Sequence, residues 1–291
     1  MHPTLSELLD HGPVLIDGAW GTELQRLGLA SGRSAEQWNL TRPECVEQVA
    51  RAYVDAGARV LLTNTFRANR MALRKDDLSD QFLEVNMAGV AIARRVVGNG
   101  CHIFGSLGAS GVNPSADRVA WREIEQSFRE QAGLLADTGV DGLVIETMLD
   151  PTELQCGVTA AMETGLPVVA CLVVPPVDSE TDQPSWARVV EQLEAIGTDV
   201  IGANCGCDIN DSIAVCRMLN SMTSLPLWIK PNAGLPAVID GRPVYRSYLG
   251  QAASYVNAIR AAGASFFGGC CGTTPEFIRA CAAANSDSES A

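Results

Sequence analysis

The stretch Thr138-Gly139-Val140-Asp141-Gly142-Leu143-Val144-Ile145-Glu146 contains the pattern that decides the fold. Residues 121–138 have the apolar spacing of an amphipathic helix, and residues 142–146 form a short apolar run that predicts a buried strand. Glycine just past a helix end supplies the left-handed cap that stops the helix. The same step from helix through glycine to strand recurs along the chain, at Ala56-Gly57, Thr164-Gly165, Ile196-Gly197 and Ala262-Gly263.

Eight such strands and eight helices alternate along the chain. The predicted strands are residues 14–17, 60–64, 102–106, 142–146, 167–173, 200–204, 227–231 and 265–269. The predicted helices are residues 43–56, 80–97, 121–138, 151–164, 185–196, 209–221, 247–262 and 275–284. Apolar strands separated by helices form parallel sheets, and eight units predict an α/β fold, the (β/α)8 TIM barrel.

A doubly wound open sheet is the alternative architecture. It needs a glycine-rich phosphate loop after its first strand. The sequence Asp17-Gly18-Ala19-Trp20-Gly21-Thr22 does not have that spacing of glycines, which favours the barrel.

No domain boundary is evident, so residues 1–284 are predicted to form one domain. Three segments are predicted to be long loops, at residues 28–41, 175–184 and 232–246. The small and polar residues of the segment 285–291 predict a disordered tail.

Composition excludes several classes of protein. The 291 residues are 47% hydrophobic, and the net charge of −13 argues against nucleic acid or an anionic membrane as a partner. No run of about 18 apolar residues exists, which argues against a membrane span, and the N-terminus lacks the pattern of a signal peptide. Ten cysteines without a secretory signal predict a reducing compartment and therefore a cytoplasmic protein. With only His2, His11 and His102 present, a histidine-based metal site is hard to build.

Polar residues follow the predicted strands where each strand ends. In a parallel barrel, the carboxyl ends of all strands meet on one rim, and active sites are built there. Glu146 points to function most strongly, because a carboxylate that ends a buried strand needs a partner or a ligand. The others also fit turns or helix caps: Asp17, Thr63-Asn64-Thr65, Lys230 and Asn232.

Three cysteines also lie at strand ends. Cys205 ends the sixth predicted strand, and the pair Cys270 and Cys271 follows the eighth. Neighbouring side chains on a strand point to opposite faces, so bringing both thiols to one side needs irregular backbone, which the flanking glycines permit. Three protein ligands and one open position are the arrangement of a catalytic zinc site.

Other interpretations of these cysteines stay open at this point. The pair could fill the core, or form a strained vicinal disulfide, which a reducing compartment disfavours. Because Cys207 follows Cys205 closely, a closed structural site with four cysteines is a further alternative.

A three-thiolate zinc site suits one kind of chemistry. Three thiolates leave the ion with a net charge of −1, which makes it a poor activator of carbonyl groups. It can accept a fourth sulfur, and coordination removes the proton of a thiol whose pKa is ordinarily near 8.5. The pattern therefore indicates alkyl transfer to a substrate thiol.

With these residues identified, the chain resembles the homocysteine S-methyltransferase family, of the type found in cobalamin-dependent methionine synthase and betaine–homocysteine methyltransferase. The resemblance runs from Asp17 to about Ile278. It rests on residues 17–25, Thr63-Asn64-Thr65-Phe66, Gly105-Ser106-Leu107-Gly108, Glu146-Thr147, Gly202-Ala203-Asn204-Cys205, Pro231-Asn232-Ala233-Gly234 and Gly268-Gly269-Cys270-Cys271-Gly272-Thr273.

The resemblance implies a TIM barrel that binds one zinc ion through Cys205, Cys270 and Cys271 and transfers a methyl group to L-homocysteine, forming methionine. It places Asp17 and Glu146 near the substrate amino group. Ser106, Asn204 and Asn232 are expected to lie around the substrate and the ligands. The implied partners are L-homocysteine and a small methyl donor, or a methyl-corrinoid or methylfolate supplied by another methyl-carrier protein.

The sequence departs from the family at Ala109, where many relatives have proline, and at Trp20 and Cys207. Two alternatives are kept. One is a related zinc alkyltransferase with another thiol or a selenol as acceptor, and the other is a zinc-binding barrel without catalytic activity.

Overall fold

The eight predicted strands form one parallel sheet. The structure is a computed structural model and describes residues 1–98, 100–176, 185–239 and 242–287. Its strands are β1 Val14–Leu15, β2 Val60–Leu62, β3 His102–Leu107, β4 Gly142–Met148, β5 Val168–Leu172, β6 Val200–Asp208, β7 Leu227–Asn232, β8 Ala237–Ile239, β9 Arg242–Val244 and β10 Phe266–Phe267. All except β8 and β9 belong to the main sheet, in the order β1-β10-β7-β6-β5-β4-β3-β2.

The sheet closes between its first and last strands. Ile16 forms a parallel bridge with Val60, and the backbone N–H of Asp17 donates to the carbonyl of Val60 at 3.1 Å. One step earlier, the N–H of Arg59 donates to Leu15 at 2.8 Å. The strands therefore form the predicted TIM barrel, and their carboxyl ends share one rim.

Thirteen α-helices occur in the described residues, and all eight predicted helices are among them. They are α1 Pro3–Leu9, α2 Trp20–Arg26, α3 Trp38–Thr41, α4 Pro43–Asp55, α5 Arg70–Leu73, α6 Phe82–Val96, α7 Pro114–Asp117, α8 Trp121–Asp137, α9 Pro151–Met162, α10 Trp186–Ile196, α11 Asp211–Asn220, α12 Ala252–Ala261 and α13 Pro275–Asp287. The helices that the sequence did not predict have seven residues or fewer, too few to show a clear period.

Local chemistry accounts for the helix ends. Asp150 begins α9, where its side chain accepts hydrogen bonds from the N–H groups of Thr152 and Glu153, and Pro151 occupies the first turn. After α8, Gly139 adopts φ 93°, a left-handed conformation that favours glycine. The chain then turns directly into β4.

The barrel interior is apolar toward its amino end. Trp228 packs between Phe104 and Phe266, with ring centroids 6.0 and 5.3 Å apart. Leu5 and Leu8 of α1 have no exposed surface and pack against this interior cluster, so α1 covers the amino end of the barrel. Access to the interior is therefore from the carboxyl-terminal rim.

Two predictions about loops and termini need correction, and a third falls mostly outside the described residues. Helix α13 continues to Asp287, so the predicted disordered tail does not begin at Asn285; Asn285 accepts a 2.8 Å hydrogen bond from Arg260. The predicted loop at 232–246 contains the antiparallel hairpin β8–β9. Most of the predicted loop at 175–184, and residues 288–291 of the tail, lie outside the described residues. No described helix is long and apolar enough to cross a membrane.

Candidate metal centre

The three predicted cysteines meet at the carboxyl-terminal rim. The Sγ atoms of Cys205, Cys270 and Cys271 lie within 4.8 Å of one another, and each residue is partly exposed. Among the described residues, no other group of three or more histidine, cysteine, aspartate or glutamate side chains lies so close. The prediction that these three cysteines come together is therefore confirmed.

Irregular backbone turns these thiols toward one another. Cys205 adopts φ 65°, and the pairing of β6 with β7 shifts register between Asn204 and Asp208. Irregularities of this kind are frequent at the rims of barrels, where they change the direction in which a side chain points. The end of β7 holds the cysteine pair, since Cys270 donates its N–H to Pro231 at 2.7 Å and the Cys271 carbonyl accepts from Ala233 at 2.8 Å.

The donor set fits zinc. Zinc–sulfur bonds of about 2.3 Å in a tetrahedron place sulfur atoms about 3.8 Å apart, which the observed separation accommodates with small side-chain movements. Hydrogen bonds from the thiols of Cys270 and Cys271 lower the pKa of Cys205, while the hydrogen bonds that Cys271 makes with Cys205 and Cys270 raise the pKa of Cys271. Three thiolates this close repel one another, so all three ionise only with a cation among them.

Cys207 does not belong to this cluster. It is buried, and burial together with Asp208 and Asp211 raises its pKa to about 12. The geometry gives no support to the alternative of a closed four-cysteine site.

A layer of polar side chains lies inside the barrel, directly above its apolar interior. Along β3, β4 and β7, the residue two positions beyond an interior apolar residue is polar: Ser106 follows Phe104, Glu146 follows Val144, and Lys230 follows Trp228. Side chains two positions apart point to the same face of a strand. Asn204 of β6 joins this layer through its hydrogen bond to Glu146.

Glu146 is buried beneath the cysteine cluster. Ser106 Oγ donates to Glu146 Oε1 at 2.6 Å, and Asn204 Nδ2 donates to Oε2 at 3.3 Å. Burial raises the pKa of Glu146 to about 7, although Lys230 and the bond from Ser106 act in the opposite direction. Glu146 thus titrates close to neutral pH.

Asn204 connects the carboxylate to the cysteines. Its Nδ2 atom lies 2.7 Å from Thr147 Oγ1 and 3.8 Å from Cys270 Sγ. Asn232 donates from Nδ2 to the Cys205 carbonyl at 3.2 Å, while its buried Oδ1 has no hydrogen-bond partner among the described residues. Both asparagines therefore contact the residues that carry or surround the thiols.

Asp17 is fully buried, and its carboxylate is already bonded. Oδ1 accepts from Lys230 Nζ at 2.5 Å, and Oδ2 accepts from Trp20 Nε1 at 2.9 Å and from the N–H of Leu62 at 2.8 Å. The sequence placed Asp17 on the correct rim. It did not show that Lys230 and Trp20 hold this carboxylate.

A cavity of about 880 Å³ opens beside the cysteine pair. It is lined by residues of α2, of the segment after β9 and of the start of α13, including Thr22, Tyr245, Gly272 and Thr273. The Tyr245 ring packs directly on Gly272, and burial together with the neighbouring cysteines raises its pKa to about 12. Sequence reasoning missed Tyr245 because nothing in its local pattern distinguishes it from a loop residue.

Comparison with known proteins decides the family. A family model described as homocysteine S-methyltransferase matches residues 14–285. The chain belongs to the homocysteine S-methyltransferase family. The family prediction made from the sequence motifs is confirmed.

Relatives of the family are similar over nearly the whole chain. Methionine synthase of Mycobacterium leprae is 31% identical over 302 residues, which cover 96% of this chain and 25% of that protein. Betaine–homocysteine S-methyltransferase 1 of Xenopus laevis is 28% identical over 309 residues, covering 96% of this chain and 74% of that protein. The chain thus spans about a quarter of the length of the methionine synthases that it matches.

A solved structure of the family has the same fold. The homocysteine methyltransferase MmuM from Escherichia coli, in its metallated form, superposes with a TM-score of 0.81 at 25% identity. The match covers 96% of this chain and 99% of that chain.

Proposed function

We propose that this protein transfers a methyl group to the thiol of L-homocysteine, forming methionine, and that it binds one zinc ion through Cys205, Cys270 and Cys271. The observation that carries the proposal is the cluster of three thiols within 4.8 Å, above a buried carboxylate on the same rim. Membership of the homocysteine S-methyltransferase family supports the choice of acceptor.

Zinc, when bound, supplies the positive charge that lowers the pKa of the acceptor thiol while leaving its sulfur nucleophilic. The protein supplies the position of that sulfur. Cys205 is held by its left-handed backbone and by Asn232, and Cys270 and Cys271 are held by the end of β7. Rigid placement of both reactants accounts for a large part of the acceleration in a transfer that needs no protein base.

Glu146 is the proposed contact for the ammonium group of homocysteine. Among the described residues, its carboxylate accepts hydrogen bonds from the neutral donors Ser106 and Asn204 and has no ion-pair partner, so it can attract a cation. Asp17, Ser106, Asn204 and Asn232 stay proposed members of the substrate site, with Ser106 and Asn204 acting through Glu146. In the reaction, the acceptor thiol releases its proton to the solvent, a carbon–sulfur bond forms, the bond from the donor to its methyl group breaks, and the electron pair leaves with the donor.

The methyl donor is a separate part of the proposal. The cavity beside Gly272 and Tyr245 provides an approach to the cysteine cluster from the rim. We propose two donor classes: a small methylated ammonium or sulfonium compound, or a methyl-corrinoid or methylfolate supplied by a methyl-carrier protein. The similarity to methionine synthases supports the second class.

An assay of zinc-loaded protein with L-homocysteine tests the proposal. Betaine, S-methylmethionine, a dimethylsulfonio compound, methylfolate and methylcobalamin are supplied separately, and methionine is measured. Other thiols and a selenol replace homocysteine in parallel reactions. Product with another acceptor but none with homocysteine, for every donor, would favour the related alkyltransferase over the proposed function.

A further inference from the structure

Lys230 places a buried positive charge in the layer of polar side chains inside the barrel, and Asp17 joins this layer through its hydrogen bond from Lys230. Its side chain is 2% exposed, and its Nζ atom lies 2.5 Å from Asp17 Oδ1. A buried ammonium group is costly unless it is paired with an anion and hydrogen-bonded. Lys230 therefore depends on Asp17, and Asp17 on Lys230.

The two carboxylates of this layer are not equivalent. Asp17 has no exposed surface, and its two oxygens accept from Lys230, from Trp20 and from the backbone of Leu62. Glu146 keeps 8% of its surface exposed and accepts no hydrogen bond from a cation among the described residues, although the Lys230 ammonium group also lowers its pKa. An ammonium group that enters from the rim thus finds Asp17 already paired with a cation and Glu146 without an ion-pair partner among the described residues.

The sum of the charges leads to the same conclusion. Asp17 and Glu146 carry two negative charges when ionised, and Lys230 carries one positive charge. The layer therefore has a net charge of −1 and can neutralise one further cation. The α-ammonium group of an amino acid is a cation of this kind.

We propose that Lys230 is a positioning residue for acceptor specificity. Its ammonium group neutralises Asp17 and leaves Glu146 as the single carboxylate that receives the ammonium group of the acceptor. The inference rests on the proposed function, in which the acceptor is an amino acid. It differs from the expectation based on resemblance, in which Asp17 and Glu146 both hold the substrate amino group.

Binding of two thiols to zinc-loaded protein tests this assignment. The ligands are L-homocysteine and 4-mercaptobutanoic acid, which lacks only the amino group, and their affinities are compared by calorimetry. In Asp17→Asn, Lys230 has Glu146 as its remaining anion, so we expect the preference for homocysteine to fall about tenfold or more. In Asp17→Asn/Lys230→Met, Glu146 is free again, and the preference should return to within about threefold of the wild type.

Glu146→Gln serves as the comparison, because its loss of preference should not be restored by adding Lys230→Met. If Asp17 itself holds the substrate ammonium, the double variant will be as impaired as Asp17→Asn alone, and the proposal is overturned.

A second measurement does not depend on homocysteine. Asp17→Asn and Lys230→Met should each lower the midpoint of thermal unfolding, and the double variant should lose less than the sum of the two. Strictly additive losses would contradict the pairing of these charges. If the wild type binds both thiols equally, the proposed acceptor is wrong, whereas the unfolding cycle still decides whether Lys230 neutralises Asp17.

Discussion

Asn204 holds Thr147 by two hydrogen bonds across the barrel. Its Oδ1 accepts from the N–H of Thr147 at 2.8 Å, and its Nδ2 donates to Thr147 Oγ1 at 2.7 Å. Thr147 adopts φ 59°, a left-handed conformation that is costly for a branched residue. Asn204 thus stabilises a strained residue beside Glu146 and also contacts Cys270, which couples the carboxylate to the cysteines.

Asn204→Ala should therefore weaken both stability and metal binding. It leaves the N–H of Thr147 without its partner, which costs about 1–3 kcal/mol of unfolding free energy. Loss of a group that orients metal ligands typically lowers metal affinity by about 10–100-fold. Denaturant unfolding and zinc competition titrations measure the two effects. Asn210→Ala, at an exposed asparagine whose side chain does not cap α11, is the matched control. Equal zinc affinity in both variants would contradict the role of Asn204.

Cys271→Ala should remove zinc and activity together. Two thiols in place of three leave an incomplete ligand set, so bound zinc per chain, measured by elemental analysis, should fall to a small fraction of the wild-type value. Cys207→Ala is the control, because Cys207 is buried and lies outside the cluster. It should keep its zinc. Full methyl transfer by a demonstrably zinc-free Cys271→Ala protein would contradict the proposal that zinc activates the acceptor thiol.

Activity should rise with pH through the pKa of Glu146, which is about 7. The ionised carboxylate attracts the substrate ammonium, so kcat/KM for homocysteine should increase as the carboxyl group loses its proton. Ser106→Ala removes a hydrogen bond that favours the charged form and should move this rise to higher pH. Ser127→Ala is the control, because the hydroxyl of this buried serine of α8 has no hydrogen-bond partner in the part of the chain that the structure describes. A profile that does not move in Ser106→Ala would contradict the assignment.

The same pKa predicts how stability depends on pH. The folded protein keeps the Glu146 proton between the ordinary value of 4.5 and about 7, whereas the unfolded chain has lost it. The contribution of Glu146 to stability is therefore fully present below pH 4.5 and is lost as the pH rises to about 7. Glu146→Gln should remove this pH dependence. Above pH 7, the free energy of unfolding of the variant should exceed that of the wild type by up to about 3 kcal/mol. Unfolding in denaturant at several pH values measures this difference. A difference in unfolding free energy that stays constant with pH would contradict the prediction.

Gly272→Ala should displace Tyr245 from the cysteine pair. Gly272 adopts φ 81°, and a Cβ atom there would lie 2.2 Å from Cγ of Tyr245. We expect loss of stability from both the strain and the collision, together with weaker zinc binding. Gly12→Ala has a similar φ of 88° but no atom within 4 Å, so it measures the strain alone. Adding Tyr245→Ala to Gly272→Ala should recover part of the loss, and no recovery would exclude the collision as its cause.

The sequence predicted the barrel well because its signals are local. Each of the eight strands is a short apolar run, and glycines such as Gly139 and Gly197 do end the preceding helices with positive φ. The hairpin β8–β9 was missed because its glycine and proline residues indicate turns without showing that the flanking residues pair. The helix end at Asp287 was missed because the contact of Arg260 with Asn285 joins distant parts of the chain.

The candidate site was predicted less completely. The three cysteines were found because each follows an apolar strand, and strand ends of a barrel share one rim. The pairing of Asp17 with Lys230 was not found, since these residues are separated by 213 positions and neither carries a local signal of the other. The contact between Tyr245 and Gly272 likewise arises only when the segment after β9 folds over the rim.

The sequence by itself therefore determined the barrel, its family and the thiols that meet at the rim. Periodicity, helix caps and position along a strand are properties of neighbouring residues, and these were sufficient. Only the tertiary structure decided which carboxylate is neutralised and which keeps its charge. That distinction depends on distances of a few ångströms between side chains from different strands, because electrostatic interaction and burial act through space rather than along the chain.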